Sequence, residues 1–209
     1  MERETDELFR VLYDRPPSDV VKRCGVVFIP RRDEKGDRYL VNLLNETYVV
    51  DVQKWDIREA ETEQVADEKV THLILKYLLR WSPASKRGGW IILNKFLRDS
   101  QLINEYEKRV IRPLLDAFGY DVQTFESVCR FMNGQREKMG GISFSFDFFP
   151  AVKGGIQLWG GEQSTYKPPS ANVLFEDRAS SVFDGCELVD AAETLVTVVL
   201  KNRKKLRPK

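Results

Sequence analysis

Between Gly140 and Phe149 the chain alternates almost without a break, with Ile142, Phe144, Phe146 and Phe148 in one register and Ser143, Ser145 and Asp147 in the other. A period of two places successive side chains on opposite faces of an extended strand. A helix would scatter the same phenylalanines around its circumference, so this run commits the chain to a sheet with one aromatic face and one polar face. The next apolar run, Ile156 to Trp159, is predicted as a strand of the same sheet. Its Gln157 and Trp159 alternate away from Ile156 and Leu158 and are expected beside Ser143, Ser145 and Asp147. Gly160 and Gly161 follow, and glycine reaches positive φ without a Cβ penalty, so an abrupt turn is expected there. A polar loop from Glu162 to Pro169 ends in a proline pair that stiffens the backbone, and Val173 to Phe175 returns to the core.

The remaining segments declare themselves by period and punctuation. Asp6 to Tyr13 has helical apolar spacing and is stopped by Pro16 and Pro17; Ser18 is placed to cap a second short helix that Gly25 closes. The period then changes to two over Val26 to Pro30, Arg38 to Leu44 and Thr47 to Val52, which predicts a three-stranded antiparallel meander with turns at Asp33 to Asp37 and at Asn45 and Glu46. Trp55 is expected as a satellite core residue under the acidic segment Glu59 to Glu63. A helix is predicted over Val65 to Trp81, with Val70, Leu73, Ile74, Tyr77, Leu78 and Trp81 facing the core. Its Glu68, His72, Lys76 and Arg80 recur every fourth residue. They read as a solvated face with weak ion pairs, an anion-binding ridge with His72 as proton carrier being the alternative.

Further helices are predicted over Asn104 to Phe118 and Gln123 to Asn133, the first bent or restarted at Pro113, with Tyr106, Val110, Leu114, Phe125 and Val128 turned inward. Asp184 or Gly185 opens a long last helix whose Leu188, Ala192, Leu195, Val196 and Val199 form a stripe that should lie across the sheet. The fold class is therefore α+β: an N-terminal β-meander, a helical middle, a second small antiparallel sheet and a long C-terminal helix. One domain is expected over residues 1–200, followed by a basic tail over 201–209, in which six of the nine residues are Lys or Arg.

Bulk properties narrow the function classes. With 33 Lys and Arg against 32 Asp and Glu, the net charge of +1 supplies no field to gather nucleic acid. Cys24, Cys129 and Cys186 are far apart, and His72 is the single histidine, so neither a disulfide framework nor a zinc or cluster site is indicated. No apolar run approaches the length of a membrane span and the charged start is unlike a signal peptide, so a soluble cytoplasmic protein is expected. Ser82 to Gly89 superficially resembles a phosphate loop. It lacks the G-x-x-x-x-G-K-[ST] order and leads into a strand-like run, which argues against that role.

Several short matches in order carry a resemblance: an apolar helix ending in YLL at Tyr77 to Leu79, GGW at Gly88 to Trp90, IRPLL..FG from Ile111 to Gly119, Pro150 through Val152 to Leu158 and Trp159, PPSANVLFED from Pro168 to Asp177, and the long last helix. In this order the chain resembles, over about Leu73 to Leu200, a family of uncharacterised bacterial and archaeal proteins, mostly from anaerobes, known only as a domain of unknown function. Some members are fused to a cluster-binding domain of the corrinoid iron-sulphur type, so the resemblance implies a setting in anaerobic one-carbon or redox metabolism and no particular activity. The chain departs from the family pattern in carrying Glu162 and Gln163 in place of an acidic pair, and Lys76 where a histidine is frequent.

The polar strand face and the bend behind it make the candidate binding surface: Ser145, Asp147, Gln157, Trp159, Glu162, Gln163 and Tyr166, a few polar groups around an aromatic wall that suit a small polar ligand or a protein partner. The first functional expectation is a non-catalytic binding or accessory module. An enzyme using Asp147 and Glu162 as acid and base, or Cys129 as nucleophile, is the alternative. Nucleic-acid binding through the basic tail, aided by Lys86 and Arg87, comes last because the body is neutral.

Overall fold

The structure, a computed structural model, describes residues 2–30, 36–83 and 89–206, with side chains from residue 4 onward. The sequence-predicted loop residues 84–88, including Lys86 and Arg87, the turn residues 33–35 and the tail residues 207–209 lie outside the described residues. The chain divides into two units.

The first unit comprises Met1–Arg87, Phe148–Ala151 and Ser181–Phe183. Helices α1 (Glu2–Tyr13) and α2 (Pro17–Cys24) precede an antiparallel sheet in the order β1 (Val27–Ile29), β2 (Arg38–Leu43), β3 (Glu46–Asp51) and β4 (Asp56–Glu59), and α3 (Glu68–Arg80) follows. The meander thus has a fourth strand. In β4 Ile57 alone is buried, so no alternation marks it; the Asp51 carboxylate instead sets its register by accepting from the backbone N–H groups of Gln53 and Lys54 at 3.2 and 3.0 Å. Asp67 caps α3 through the Val70 N–H at 2.8 Å.

The polar ridge expected on α3 is exposed only at its ends, Glu68 and Arg80. Lys76 is buried with its Nζ 3.0 Å from Glu4 of α1, and His72 Nε2 lies 3.9 Å from the same carboxylate. Helix α1 covers the middle of this side because its own apolar stripe, Phe9 and Leu12, is also buried, so α3 is enclosed from Leu73 to Leu79 and open at its two ends. Tyr77, in the YLL stretch, donates its hydroxyl to the Cys24 carbonyl and accepts from the Ala151 N–H at 3.2 Å, while its ring stacks on Phe149 at 4.3 Å. These bonds give every polar atom of the phenol a partner inside an apolar core.

The second unit comprises Gly88–Asp147, Val152–Ser180 and Asp184–Lys209. It holds β5 (Trp90–Ile92), α4 (Leu93–Phe96), α5 (Ser100–Tyr106), a π-helical turn (Glu107–Ile111), α6 (Arg112–Phe118), α7 (Val122–Phe131), β6 (Gln135–Glu137), β7 (Ile142–Phe149), β8 (Val152–Trp159), β9 (Ser170–Glu176), a short 3-10 turn (Asp177–Ser181) and α8 (Gly185–Leu206). The strands order as β5-β9-β8-β7-β6. The predicted α+β class, with a meander, a helical middle, a second sheet and a long last helix, is the observed one.

The helical backbone runs on through Pro113 without a break. Proline lacks an N–H and its ring crowds the carbonyl four residues back; the chain accommodates it by widening one turn, in which Arg112 N–H bonds the Glu107 carbonyl five residues earlier. The stripe of α8, Leu188, Ala192, Leu195, Val196 and Val199, is buried as predicted. It reaches the sheet at Gly154 of β8, where a Cβ would stand 3.3 Å from Leu195 Cδ2. Lys201 to Leu206, the start of the expected tail, are the last turns of α8.

Candidate functional site

Two glycine pairs shape the end of β8. Gly140 and Gly141 enter β7 with φ of 91° and 57°, and a Cβ on Gly141 would lie 2.7 Å from the Leu158 carbonyl and 3.0 Å from Trp159 Nε1. Only glycine lets the indole of Trp159 settle against that turn. Gly160 and Gly161 act differently from the sequence expectation: neither has positive φ. They are needed for space, since a Cβ on Gly161 would meet Tyr120 Cε1 at 2.6 Å and the Pro169 backbone nitrogen at 2.8 Å. The Gly161 N–H bonds the Gly119 carbonyl at 2.9 Å, which ties the end of β8 to the turn between α6 and α7.

The loop that follows closes on itself. Glu162 and Lys167 exchange backbone hydrogen bonds of 2.9 and 3.1 Å, and the Glu162 carboxylate accepts from Thr165 Oγ1 at 2.9 Å and Ser164 Oγ at 3.0 Å. Those two hydroxyls, Thr165 first, hold its carboxyl below the usual range, so it stays ionised at neutral pH. Tyr166 sits at φ 55° and is 93% exposed at the loop tip.

A recess of about 430 Å³ opens where these pieces meet, lined among others by Tyr120, Trp159, Gly161, Glu162 and Lys167. Trp159 is half-buried there, one wall of the recess and not part of the closed core. The structure brings Trp159 and Glu162 of the predicted surface together and adds Tyr120 and Lys167. It does not bring the others to the recess. Ser145 is buried and donates to Glu137 Oε1 of β6 at 2.7 Å; Gln157 is buried and donates to the Met139 carbonyl at 2.7 Å while accepting from Asn172 at 3.2 Å. The expected open polar face is therefore closed by β6 and the segment after it. Asp147 is exposed and accepts from Lys153 at 2.9 Å, and Gln163 is exposed in the loop. The recess is lined by Glu162 and not by Asp147, so these carboxylates do not form an acid-base pair within it. Cys129 is fully buried, and burial drives its thiol far above the ordinary range.

Tyr120 and Lys167 carried no periodic signal. An aromatic residue directly after a helix-ending glycine, and a lysine directly before two prolines, are the traces that could have flagged them. Among the described residues no group of three His, Cys, Asp or Glu is placed to hold a metal ion, and no helix is long and apolar enough to cross a membrane.

Fold and recess together define an α+β protein with a ligand-sized, aromatic-walled cavity of mixed charge. Residues 16–198 match the family described as Domain of unknown function (DUF3786), and the chain belongs to it. The match carries the resemblance, which began at about Leu73, back to residue 16. No curated protein and no solved structure matches the chain.

Proposed function

We propose that the protein is a non-catalytic binding module whose recess beside Trp159 holds a small polar ligand or a side chain of a protein partner. The carrying observation is the half-buried indole facing a recess of about 430 Å³ that also presents Glu162 and Lys167. An aromatic wall supplies apolar area and a stacking face, and a few fixed polar groups supply orientation. Glu162 suits anchoring, because the Thr165 and Ser164 hydroxyls fix its carboxylate and favour its ionised form. A buried, protonated Cys129 likewise supplies no nucleophile to the recess. The setting in anaerobic metabolism comes with the resemblance to members fused to a corrinoid-iron-sulphur-type cluster domain.

Native mass spectrometry of anaerobically purified full chain tests this reading. A retained mass, or a co-purifying partner, that is lost in Trp159→Ala and weakened in Glu162→Gln is the expected result. A retained species unaffected by Trp159→Ala, or a bare chain that no metabolite or partner screen shifts, would remove the basis for the recess as a site.

A further inference from the structure

A second recess, also about 430 Å³, lies in the first unit between the end of α1 and the turn from β3 to β4. Trp55 and Tyr13 form its walls, buried Val52 its base, and Arg10, Asp14 and Gln53 its polar rim. Trp55 was expected as a covered satellite of the core, yet it is 37% exposed. It also has φ of 53°, the left-handed region where a residue with a Cβ costs on the order of 1 kcal/mol and glycine or asparagine is the usual occupant. The turn does not require an indole there, because the Asp51 carboxylate already satisfies the Gln53 and Lys54 N–H groups. One face of the indole stacks on buried Phe9, with ring centroids 6.3 Å apart and planes 3° from parallel. The stack braces the ring at the recess mouth without covering it.

The rim charges are the second observation. Arg10, in the last turn of α1, and Asp14, the residue after its end, are four residues apart with the Asp14 N–H still bonded to the Arg10 carbonyl at 3.1 Å, a spacing at which opposite charges ordinarily pair. Here the Arg10 guanidinium lies over the indole instead, 5.3 Å from its centroid. Among the described residues neither side chain has an ion-pair or hydrogen-bond partner, so one positive and one negative group face the same aromatic recess. Braced indole, exposed phenol and two opposite charges that form no ion pair with each other are complementary to a planar ring that carries both an acid and an amine.

We propose that this recess binds a small aromatic zwitterion of the size of an aromatic amino acid: its ring against Trp55 and Tyr13, its carboxylate toward Arg10 and its ammonium toward Asp14. Calorimetric titration of the full chain with L-phenylalanine tests it, with phenylacetate and phenethylamine as probes that keep one charge each. L-phenylalanine should bind saturably, and each single-charge probe should bind at least about tenfold more weakly. Trp55→Gly suits the left-handed backbone and so preserves the turn; it should weaken L-phenylalanine by about tenfold or more. Arg10→Gln should weaken L-phenylalanine and phenylacetate and spare phenethylamine, with Asp14→Asn giving the converse pattern. Absence of saturable L-phenylalanine binding, or equal binding by Trp55→Gly and the parent chain, would overturn the proposal.

Discussion

Replacing Tyr106 by phenylalanine should cost the second unit about 1–3 kcal/mol without leaving a cavity, and the reason lies in one backbone amide. Strand β5 pairs with β9 as Trp90↔Glu176, Ile91↔Phe175 and Ile92↔Leu174, and there the pairing stops. The next β9 amide, Val173 N–H, bonds the Tyr106 hydroxyl at 3.1 Å, with both residues fully buried. Phenylalanine keeps the ring and its packing but leaves that donor without an acceptor. A net hydrogen bond is worth about 1 kcal/mol, whereas a buried amide stranded without a partner costs about 1–3 kcal/mol, so the second effect decides the size. For a chain of this length that corresponds to a fall in Tm of roughly 2–12 °C. Urea unfolding gives the stability change, and amide hydrogen exchange at Val173 should accelerate in Tyr106→Phe. Tyr120→Phe, which alters a 56% exposed side chain, is the control and should shift stability by less than about 0.5 kcal/mol. Unchanged stability together with unchanged Val173 protection in Tyr106→Phe would refute the reasoning.

Two further outcomes follow from the structure. Gly161→Ala should destabilise by about 1–3 kcal/mol and displace Tyr120, because its Cβ would press on the Pro169 backbone, while Gly160→Ala should cost less, since its one close contact is a Val122 methyl at 2.6 Å and the nearest backbone atom is 3.9 Å away; urea midpoints of the two variants make the comparison. Stability should be level near neutral pH and fall at alkaline pH. Burial pushes the Cys24 thiol up to about 11 and the Tyr39 phenol up to about 12, and raises Tyr48, Tyr77, Tyr106 and Cys129 further. The unfolded chain then sheds protons that the folded chain keeps, so each such group removes about 1.4 kcal/mol per pH unit between its unfolded and folded values, from roughly pH 9 upward. A urea midpoint unchanged to pH 11 would contradict this.

How much of this was readable in the sequence depended on whether one segment held the whole signal. The alternation of Phe144, Phe146 and Phe148 fixed β7, and the stripe from Leu188 to Val199 fixed α8, because each pattern is local and each face is buried against bulk apolar surface. The polar residues between those phenylalanines were misleading for the same reason. Ser143 and Ser145 read as a wet face, but Gln135 to Glu137, a segment without alternation, pairs with them as β6. Likewise Lys76 looked solvated on α3 until α1 was laid against it, since a lysine with a carboxylate in reach can be enclosed where an unpaired one cannot.

The recess beside Trp159 shows where local reading ends. Trp159 and Glu162 stand out in the sequence because an indole before a double glycine and a polar bend is unusual; Tyr120 and Lys167 join them only through the fold. What assembles the walls is mostly backbone: the Gly161 N–H on the Gly119 carbonyl, and the reciprocal bonds between Glu162 and Lys167. Two side chains of the recess are likewise already held, Glu162 by two hydroxyls of its own loop and Trp159 by the turn at Gly141. A site whose groups are positioned before anything binds loses little conformational freedom on binding, so its affinity rests chiefly on the contacts it makes. Trp159→Ala would therefore remove the wall's contribution while the backbone frame, which does not use the indole, stays in place.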